Sequence, residues 1–402
     1  MGENPTRNNS LRLAGDTETL DYGIDAINAD LVWGTVDGGH NVTTNIAGQG
    51  VKVCVIDSGI DSDHPDLNIS GSFDSFPEDD ELTVNDHNGH GTECAGIICA
   101  QDNSYGVIGV APKAKLYAAK VVGFGDAISS WEDVFRALDY YSGNYNGNLG
   151  DDMGGTGSIK VDVMSLSFGG NVGDYYSDYN GHFESCFNKG ITMVAATMNG
   201  GPDGKGDNQI SFPASSPYTI AVGSVEKDGN GNWVWSDFSN YGDGLDLVAP
   251  GVNIYSTTIS PDYYMGGLDG TSFAVPMVSG VCALLLSKAF NQNFDLTNKE
   301  IKWILCNTTD KVGGVTYTNG WNQYYGYGMV NAKRAVDNCR PPKITIKSPN
   351  EGGTITGSTN IKAKVTDDGE HTVQCRIDDG VWHDMSSIGN EEYQWTWDVT
   401  DS

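Results

Sequence analysis

The chain has 402 residues, of which 38% are hydrophobic, so it can bury the core of one large domain or of two smaller ones. Its formal net charge of −30 argues against a nucleic-acid partner, because phosphates would be repelled. No apolar run approaches the roughly 20 residues needed to cross a bilayer, so we predict no membrane span.

The excess of acidic residues allows three interpretations. A solvated acidic surface that keeps the protein soluble is the simplest. Adaptation to a high-salt habitat is the second, since salt screens the self-repulsion of like charges. Binding of Ca²⁺ is the third, because loops rich in Asp, Asn and Gly supply the oxygen ligands that this ion takes.

Continuous apolar runs of strand length alternate with helix-like stretches along most of the chain. Within these runs polar and apolar residues do not alternate, which is typical of parallel strands covered on both faces. We therefore predict an α/β fold with a mostly parallel central sheet between helices. The predicted strands are residues 51–56, 116–122, 161–166, 191–196 and 220–225, and the predicted helices are residues 92–100, 131–141, 183–189, 272–289 and 299–305.

The pattern changes at Cys339-Arg-Pro-Pro, because a proline pair ends helices and stiffens linkers. Short alternating runs follow, which favour an immunoglobulin-like β module over residues 341–402. Such sandwiches need about 100 residues, so we expect this module to be incomplete. The larger predicted domain covers residues 18–340, after an N-terminal lead of residues 1–17.

Eight cysteines are spread along the chain, which is far below the density of a disulfide scaffold. Several lie in apolar runs, where a cysteine usually behaves as a small buried hydrophobic residue. If any disulfide forms, we favour Cys306 with Cys339. Free thiols in an exported protein would indicate a low-oxygen habitat.

Three short motifs supply an acid, an imidazole and a hydroxyl in that chain order. Asp57 ends an apolar run in Val-Ile-Asp-Ser-Gly-Ile, His90 lies in Asn-Gly-His-Gly-Thr, and Ser272 lies in Gly-Thr-Ser-Phe-Ala-Val-Pro. A serine hydroxyl becomes a useful nucleophile when a histidine takes its proton and a carboxylate orients that histidine. We therefore predict that Asp57, His90 and Ser272 form a catalytic triad.

Each of these residues also has a purely structural interpretation. Ser272 suits a helix N-cap, His90 a buried histidine, and Asp57 the cap of a turn. His87 and Asp61 are the nearest rivals. We favour the first three because only His90 is followed by Gly-Thr and only Asp57 stands at the end of a predicted strand, where α/β sheets gather their chemistry.

The three motifs resemble those of the subtilisin-like serine proteases, and the resemblance extends over residues 22–335. It implies a three-layer subtilisin-like domain and a secreted serine endopeptidase, found outside the cell or at its surface, that cleaves polypeptides through an acyl-enzyme. It also implies a signal peptide and a propeptide, an inhibitor and folding chaperone that is later cleaved off. Residues 1–20 are polar, so we interpret the chain as trimmed and residues 1–17 as the end of a propeptide junction. We expect a monomer.

The resemblance implies that Asn199, in Ala-Ala-Thr-Met-Asn-Gly-Gly, donates its amide N–H to the oxyanion of the tetrahedral intermediate. The second donor would be the backbone N–H of Ser272. This chain departs from the family at Met198, where the pattern has Gly. That departure puts the local backbone in doubt, because glycine takes a positive φ at lower cost than methionine.

The resemblance also implies a substrate-binding segment that pairs with the substrate backbone and walls the main pocket. A second edge is expected around Gly125. An apolar preference is the family default. The substrate-binding segment is Ser167, Phe168, Gly169 and Gly170.

A structural calcium site is implied in the same way, with a hydrogen-bonded loop without metal as the alternative. A carboxylate, an N-terminal side chain and the loop after the histidine helix share the ion. Hard oxygen ligands of this kind suit Ca²⁺ rather than Zn²⁺. The implied ligands are Glu18, Asp66, Gln101, Asn103, Tyr105 and Val107.

Two other functions stay open at this point. A catalytically silent subtilisin-fold binding protein would require that Met198 or an occluding loop disables the site. A surface-adhesion protein would place the function in the β module.

Overall fold

The structure is a computed structural model that describes residues 11–12, 18–34, 42–75, 84–123, 128, 130–144, 158–200, 204–340, 343–349, 358–366, 373–375 and 383–397. The chain divides into two compact units, Met1–Cys339 and Arg340–Ser402. Each unit is described by itself.

A mostly parallel sheet of eight strands forms the centre of the first unit, in the order β10-β8-β7-β6-β3-β5-β4, with β9 antiparallel to β8. The chain order reverses at β3, which pairs in parallel with both β5 and β6. In open α/β sheets, binding sites lie beyond the carboxyl ends of the strands at such a reversal. The strands of this unit are β1 (Leu11–Arg12), β2 (Thr19–Leu20), β3 (Lys52–Asp57), β4 (Ile69–Asp74), β5 (Lys115–Lys120), β6 (Val163–Leu166), β7 (Thr192–Ala196), β8 (Thr219–Lys227), β9 (Trp233–Trp235), β10 (Leu247–Pro250), β11 (Ile254–Thr257) and β12 (Tyr264–Leu268).

Helices cover both faces of this sheet and enclose two hydrophobic cores. One core contains apolar side chains of α3 and α6, and the other contains those of α4 and α5. The predicted α/β fold with a mostly parallel sheet is therefore confirmed. The helices are α1 (Tyr22–Ala26), α2 (Asp30–Trp33), α3 (His90–Cys99), α4 (Trp131–Tyr141), α5 (Tyr176–Asn188), α6 (Thr271–Gln292), α7 (Asn298–Asn307) and α8 (Ala332–Asn338).

Helix α6 belongs to the first core, and most of its residues are buried. By length and hydropathy it could cross a membrane, and it is the only such helix in the part of the chain that the structure describes. However, 89% of its most apolar stretch is buried inside the protein. Its apolar character is therefore explained by its place between the sheet and the helices around it.

The eight cysteines form no disulfide. All of them are free, so the Cys306–Cys339 pairing that we favoured in case a bridge formed is not made. Cys339 instead lies at the end of α8, and its Sγ donates to the carbonyl oxygen of Leu285 over 3.8 Å. Seven of the eight thiols are buried, as expected for cysteines that act as small hydrophobic side chains.

The second unit consists of antiparallel strands. Four of them form a sheet in the order β13-β14-β18-β17, and two more form a separate pair. On β14 the buried residues Ile361, Ala363 and Val365 alternate with more exposed ones, which is the pattern of a sheet with one face in a core. The strands are β13 (Lys343–Ser348), β14 (Thr359–Thr366), β15 (Gln374–Cys375), β16 (His383–Asp384), β17 (Ser386–Gly389) and β18 (Glu392–Trp397).

Candidate active site

Asp57 and His90 are joined by a short hydrogen bond. Asp57 is the last residue of β3 and His90 is the first residue of α3. The Nδ1 atom of His90 lies 2.8 Å from Oδ1 of Asp57, which also accepts the N–H of Ser58 over 2.8 Å. The Asp57 carboxylate is buried and the imidazole is partly exposed. A buried carboxylate in this position orients the ring and leaves its Nε2 atom for other partners.

Asp86 holds the turn that precedes His90. The sequence motifs did not reveal this role of Asp86. Its Oδ1 accepts hydrogen bonds from Ser58 Oγ and from the N–H of Gly89, each over 2.9 Å. Its Oδ2 accepts the N–H and the hydroxyl of Thr92 over 3.0 and 2.7 Å. Asp86 thus satisfies donors at the start of α3 and ties that helix to the residue after Asp57. An acidic residue four positions before a helix start was the available signal.

Carboxylates around His90 favour its charged form. Burial of the ring lowers the pKa of His90, but Asp57, Glu93 and Asp86 outweigh this effect and raise the pKa to about 9. Glu93 lies one turn after His90 on α3, is buried, and accepts the hydroxyl of Thr258 over 3.1 Å. Burial raises the pKa of Glu93 above its usual range. Glu93 is a second residue that the sequence motifs did not reveal.

Ser272 lies in the first turn of α6, next to the Ser167 backbone. Its hydroxyl donates to the carbonyl oxygen of Ser167 over 3.1 Å, and the hydroxyl of Ser167 donates to the carbonyl oxygen of Ser272 over 2.8 Å. The N-cap of α6 is Gly270, so Ser272 does not cap the helix. Its hydroxyl is therefore not committed to holding the end of α6.

The thiol of Cys94 lies close to Ser272, Asp57 and His90. Its Sγ lies 3.5 Å from the carbonyl oxygen of Ser272. The same atom lies within 4.8 Å of a ligand atom of Asp57 and of His90, a spacing also compatible with a metal site. The rings of His90 and Phe273, the residue after Ser272, are 5.6 Å apart. The three predicted triad residues are thus brought together at the reversal point of the sheet.

Asn199 follows β7 and is anchored beside Ser272 through its amide oxygen. The Oδ1 atom accepts both the N–H and the hydroxyl of Thr271, each over 3.0 Å. Because the oxygen is occupied in this way, the Nδ2 atom is the group left for an approaching ligand. It lies 3.3 Å from the point where a Cβ on Gly270 would stand.

Met198 adopts the conformation for which the family pattern has glycine. Its φ is 75°, in the left-handed region that methionine rarely enters. Backbone hydrogen bonds hold it there: Asn240 donates to the carbonyl oxygen of Met198 over 2.9 Å, and Gly200 donates to that of Phe238 over 2.6 Å. The departure from glycine therefore leaves the backbone path to Asn199 intact.

The segment from Ser167 to Gly170 follows β6 and differs from expectation in two respects. The ring of Phe168 is buried in the second core against Trp131, so its side chain does not face a substrate. The N–H and C=O groups of Gly170 pair with Phe212 over 2.8 and 3.1 Å, so they are not free for strand addition. Gly125 lies outside the described residues.

The residues implied as calcium ligands converge on one loop after α3. Glu18 accepts the N–H of Asn103 over 2.9 Å, and Asp66 accepts Asn103 Nδ2 over 2.9 Å and the N–H of Val107 over 3.0 Å. The N–H of Gln101 donates to the carbonyl oxygen of Asp66 over 3.0 Å. The ring of Tyr105 is exposed and packs edge-on against the ring of Tyr264.

Two carboxylates meet in this loop in a way that suits a cation. Burial and the repulsion of Asp102 and Asp66 outweigh the backbone hydrogen bonds of Glu18 and raise its pKa to about 7. Burial raises the pKa of Asp66 to about 6. A bound cation would remove this repulsion, so the residues present fit Ca²⁺. One detail differs: Asn103 turns Nδ2 toward Asp66 and its Oδ1 accepts the N–H of Tyr105 over 2.9 Å.

Comparison with known proteins decides the family. Residues 48–328 match the family model described as the subtilase family. The chain belongs to the subtilases. Residues 342–402 of this subtilase match a second model, described as a bacterial Ig domain.

Named relatives agree with this assignment. The subtilase is similar to Subtilisin NAT of Bacillus subtilis subsp. natto, with 34% identity over 320 residues, which cover 79% of this chain and 72% of the relative. It is similar to Subtilisin BL and Subtilisin Savinase of Lederbergia lenta, each with 37% identity over 297 residues, which cover 74% of this chain and 94% of the relative. The protein is therefore a serine endopeptidase with a C-terminal Ig-like module.

Proposed function

We propose that this subtilase cleaves peptide bonds through an acyl-enzyme on Ser272. The hydroxyl of Ser272 turns from Ser167 to His90, and His90 takes its proton as Oγ attacks the peptide carbonyl. His90 then gives that proton to the leaving amine, and water hydrolyses the ester by the reverse sequence. The proposal rests on the 2.8 Å hydrogen bond from His90 to buried Asp57, which orients the base.

The negative oxygen of the tetrahedral intermediate would be held by two donors. One is Nδ2 of Asn199, which is left for this purpose because Thr271 occupies the amide oxygen. The other is the backbone N–H of Ser272 in the first turn of α6, where the helix dipole also favours negative charge. Both donors are fixed before substrate arrives, so little reorganisation opposes the reaction.

We propose further that the loop after α3 holds a structural Ca²⁺. The carboxylates of Glu18 and Asp66, the side chain of Asn103 after rotation of its amide, and backbone oxygens of Gln101, Tyr105 and Val107 would be its ligands. The ion would tie the segment before α1 to this loop and would have no part in the chemistry. The convergence of Glu18 and Asp66 on Asn103 supports this site.

The natural substrates would be polypeptides met outside the cell or at its surface, and the enzyme would act as a monomer. The acidic composition suits an exported protein that must stay in solution, and residues 342–402 match a bacterial Ig domain. The catalytic domain would comprise residues 18–340.

A fluorophosphonate label, combined with digestion of a denatured protein, tests the proposed function. We expect the wild-type protein to be labelled and to digest the substrate, and Ser272→Ala to do neither. Ser287→Ala is the matched control, because Ser287 lies on the same helix and bonds to Asn45 rather than to the site. A folded wild-type protein that is neither labelled nor active would contradict the proposal and favour a silent binding protein.

A further inference from the structure

The side chain of Met198 reaches from the segment after β7 to the segment after β6. A Cβ built on Gly169 would lie 3.0 Å from Cγ of Met198 and 3.3 Å from its Sδ. The thioether therefore rests against the Gly169 backbone. These two segments flank Ser272, since Asn199 continues the first and Ser167 begins the second.

The geometry of attack indicates which part of the substrate must occupy the space between these two segments. The carbonyl carbon of the substrate must approach Oγ of Ser272, and its oxygen must point toward Nδ2 of Asn199. The side chain of that same substrate residue begins only two bonds from the carbonyl carbon. It must therefore enter the space beside Ser272 and Asn199, where Met198 lies.

Hydrogen bonds and close contacts hold both segments that line this space, the one after β6 and the one after β7. Ser167 and Ser272 are joined by two reciprocal hydrogen bonds of 3.1 and 2.8 Å. The carbonyl oxygen of Phe212 lies 2.6 Å from the position of a Cβ on Gly169, so the backbone of Phe212 packs directly against that residue. The backbone of Met198 is held by the hydrogen bond from Asn240. The Met198 side chain can change rotamer, but its backbone position keeps it between the two segments.

We propose that Met198 shortens the pocket for the residue whose carbonyl is attacked, so that the enzyme prefers Gly, Ala or Ser there. This inference rests on the proposed function, because it presumes attack by Ser272. It departs from the apolar preference implied by the family resemblance. A space lined by glycine on both sides would be an open slot, whereas here the Met198 side chain lies against Gly169.

The test uses two peptide p-nitroanilides that differ only in the residue before the cleaved bond, Ala or Phe. We expect kcat/KM of the wild-type enzyme to favour the Ala substrate by about tenfold or more, since a few methylene groups in a closed pocket suffice for that discrimination. In Met198→Ala and Met198→Gly, kcat/KM for the Phe substrate should rise at least about tenfold relative to the Ala substrate.

The two variants separate pocket volume from backbone conformation. Alanine removes the thioether but keeps a side chain at positive φ, whereas glycine also relieves the unfavourable φ. If pocket volume decides specificity, both variants change the ratio alike, and only Met198→Gly raises the unfolding temperature. Met265→Ala is the control, because Met265 is an exposed methionine on β12.

Two results would overturn the inference. One is a wild-type enzyme that prefers Phe; the other is an unchanged ratio in both Met198 variants while fluorophosphonate still labels Ser272. Either would leave the proposed function standing, because Ser272 would still be reactive. A wild-type protein that cleaves neither substrate and is not labelled would overturn the proposed function and this inference together.

Discussion

At the residue scale, His90 is surrounded by more negative charge than a single triad carboxylate supplies. Asp57, Glu93 and Asp86 together raise the pKa of His90 to about 9. A general base must be neutral to accept a proton, so activity should increase as the pH rises through that value. The same raised pKa stabilises the folded state below the unfolded pKa of about 6.5, and that contribution is lost as the pH rises through about 9.

Glu93→Gln tests this electrostatic arrangement. Removing one buried negative charge should lower the pH midpoint of kcat/KM by up to about 1, because the charged form of His90 loses a favourable neighbour. The measurement is the pH profile of kcat/KM for a small peptide substrate. Glu132→Gln on α4 serves as the control, and a midpoint that does not move in Glu93→Gln would contradict the assignment.

Asn199 gives a second prediction at this scale. Asn199→Ala should lower kcat by about 10²–10³ with little change in KM, a magnitude taken over from a donor of this kind in subtilisin itself. Thr271→Val should cost less, because the backbone N–H of residue 271 still holds the amide oxygen. Steady-state kinetics of both variants check this order, and an equal loss in both would argue against a role for Nδ2.

The residues of the site differ in how far the sequence could reveal them. Asp57, His90 and Ser272 stand in motifs whose neighbours are also informative, so they could be predicted from short segments. Glu93 contacts Thr258, which is distant in the chain, and no local pattern shows such a contact. Asp86 had only a weak local signal, its position just before a helix start, and its contact with Ser58 could not be read from the sequence.

At the scale of elements, the calcium site implied for the loop after α3 can be tested directly. Adding Ca²⁺ should raise the unfolding temperature, and a chelator should lower it, because the ion binds only the folded loop. Asp66→Asn and Glu18→Gln should each reduce the calcium-dependent rise, since an amide keeps an oxygen ligand but loses charge. Differential scanning calorimetry measures both effects.

The control for this experiment is Asp228→Asn, which changes an exposed carboxylate in the turn before β9. Its response to Ca²⁺ should equal that of the wild-type protein. If Asp66→Asn responds to Ca²⁺ as the wild-type protein does, the ion is bound elsewhere and the proposed ligands are wrong.

Elements with a strong apolar signal were predicted closely, and the others were not. Helix α4, for example, has the predicted bounds. Helix α5 begins at Tyr176, seven residues before the predicted start at 183, because its first turns face solvent and carry no apolar pattern. Strand β4 was missed for the same reason: its sequence, Ile-Ser-Gly-Ser-Phe-Asp, lies at the edge of the sheet.

At the scale of the whole molecule, all contacts of the candidate site described above lie within Met1–Cys339. A chain that ends at Arg340 should therefore keep the kcat/KM of the full chain on small peptides and the same unfolding temperature for its main transition. Peptide kinetics and calorimetry on both chains provide the comparison. A truncated protein that folds, as judged by circular dichroism, yet loses activity on small peptides would show that the Ig-like module contributes to the site.

The free cysteines allow the rate of local unfolding to be measured at several positions in this protein. A thiol reagent reaches a buried cysteine only when its surroundings open, so the rate of modification at each position measures local unfolding. Cys94 would report on the cleft between His90 and Ser272, and Cys186 on the opposite face of the sheet. Partly exposed Cys375 would react first and set the reference rate. Mass spectrometry after brief labelling would then show, for each storage condition, which part of the enzyme unfolds first.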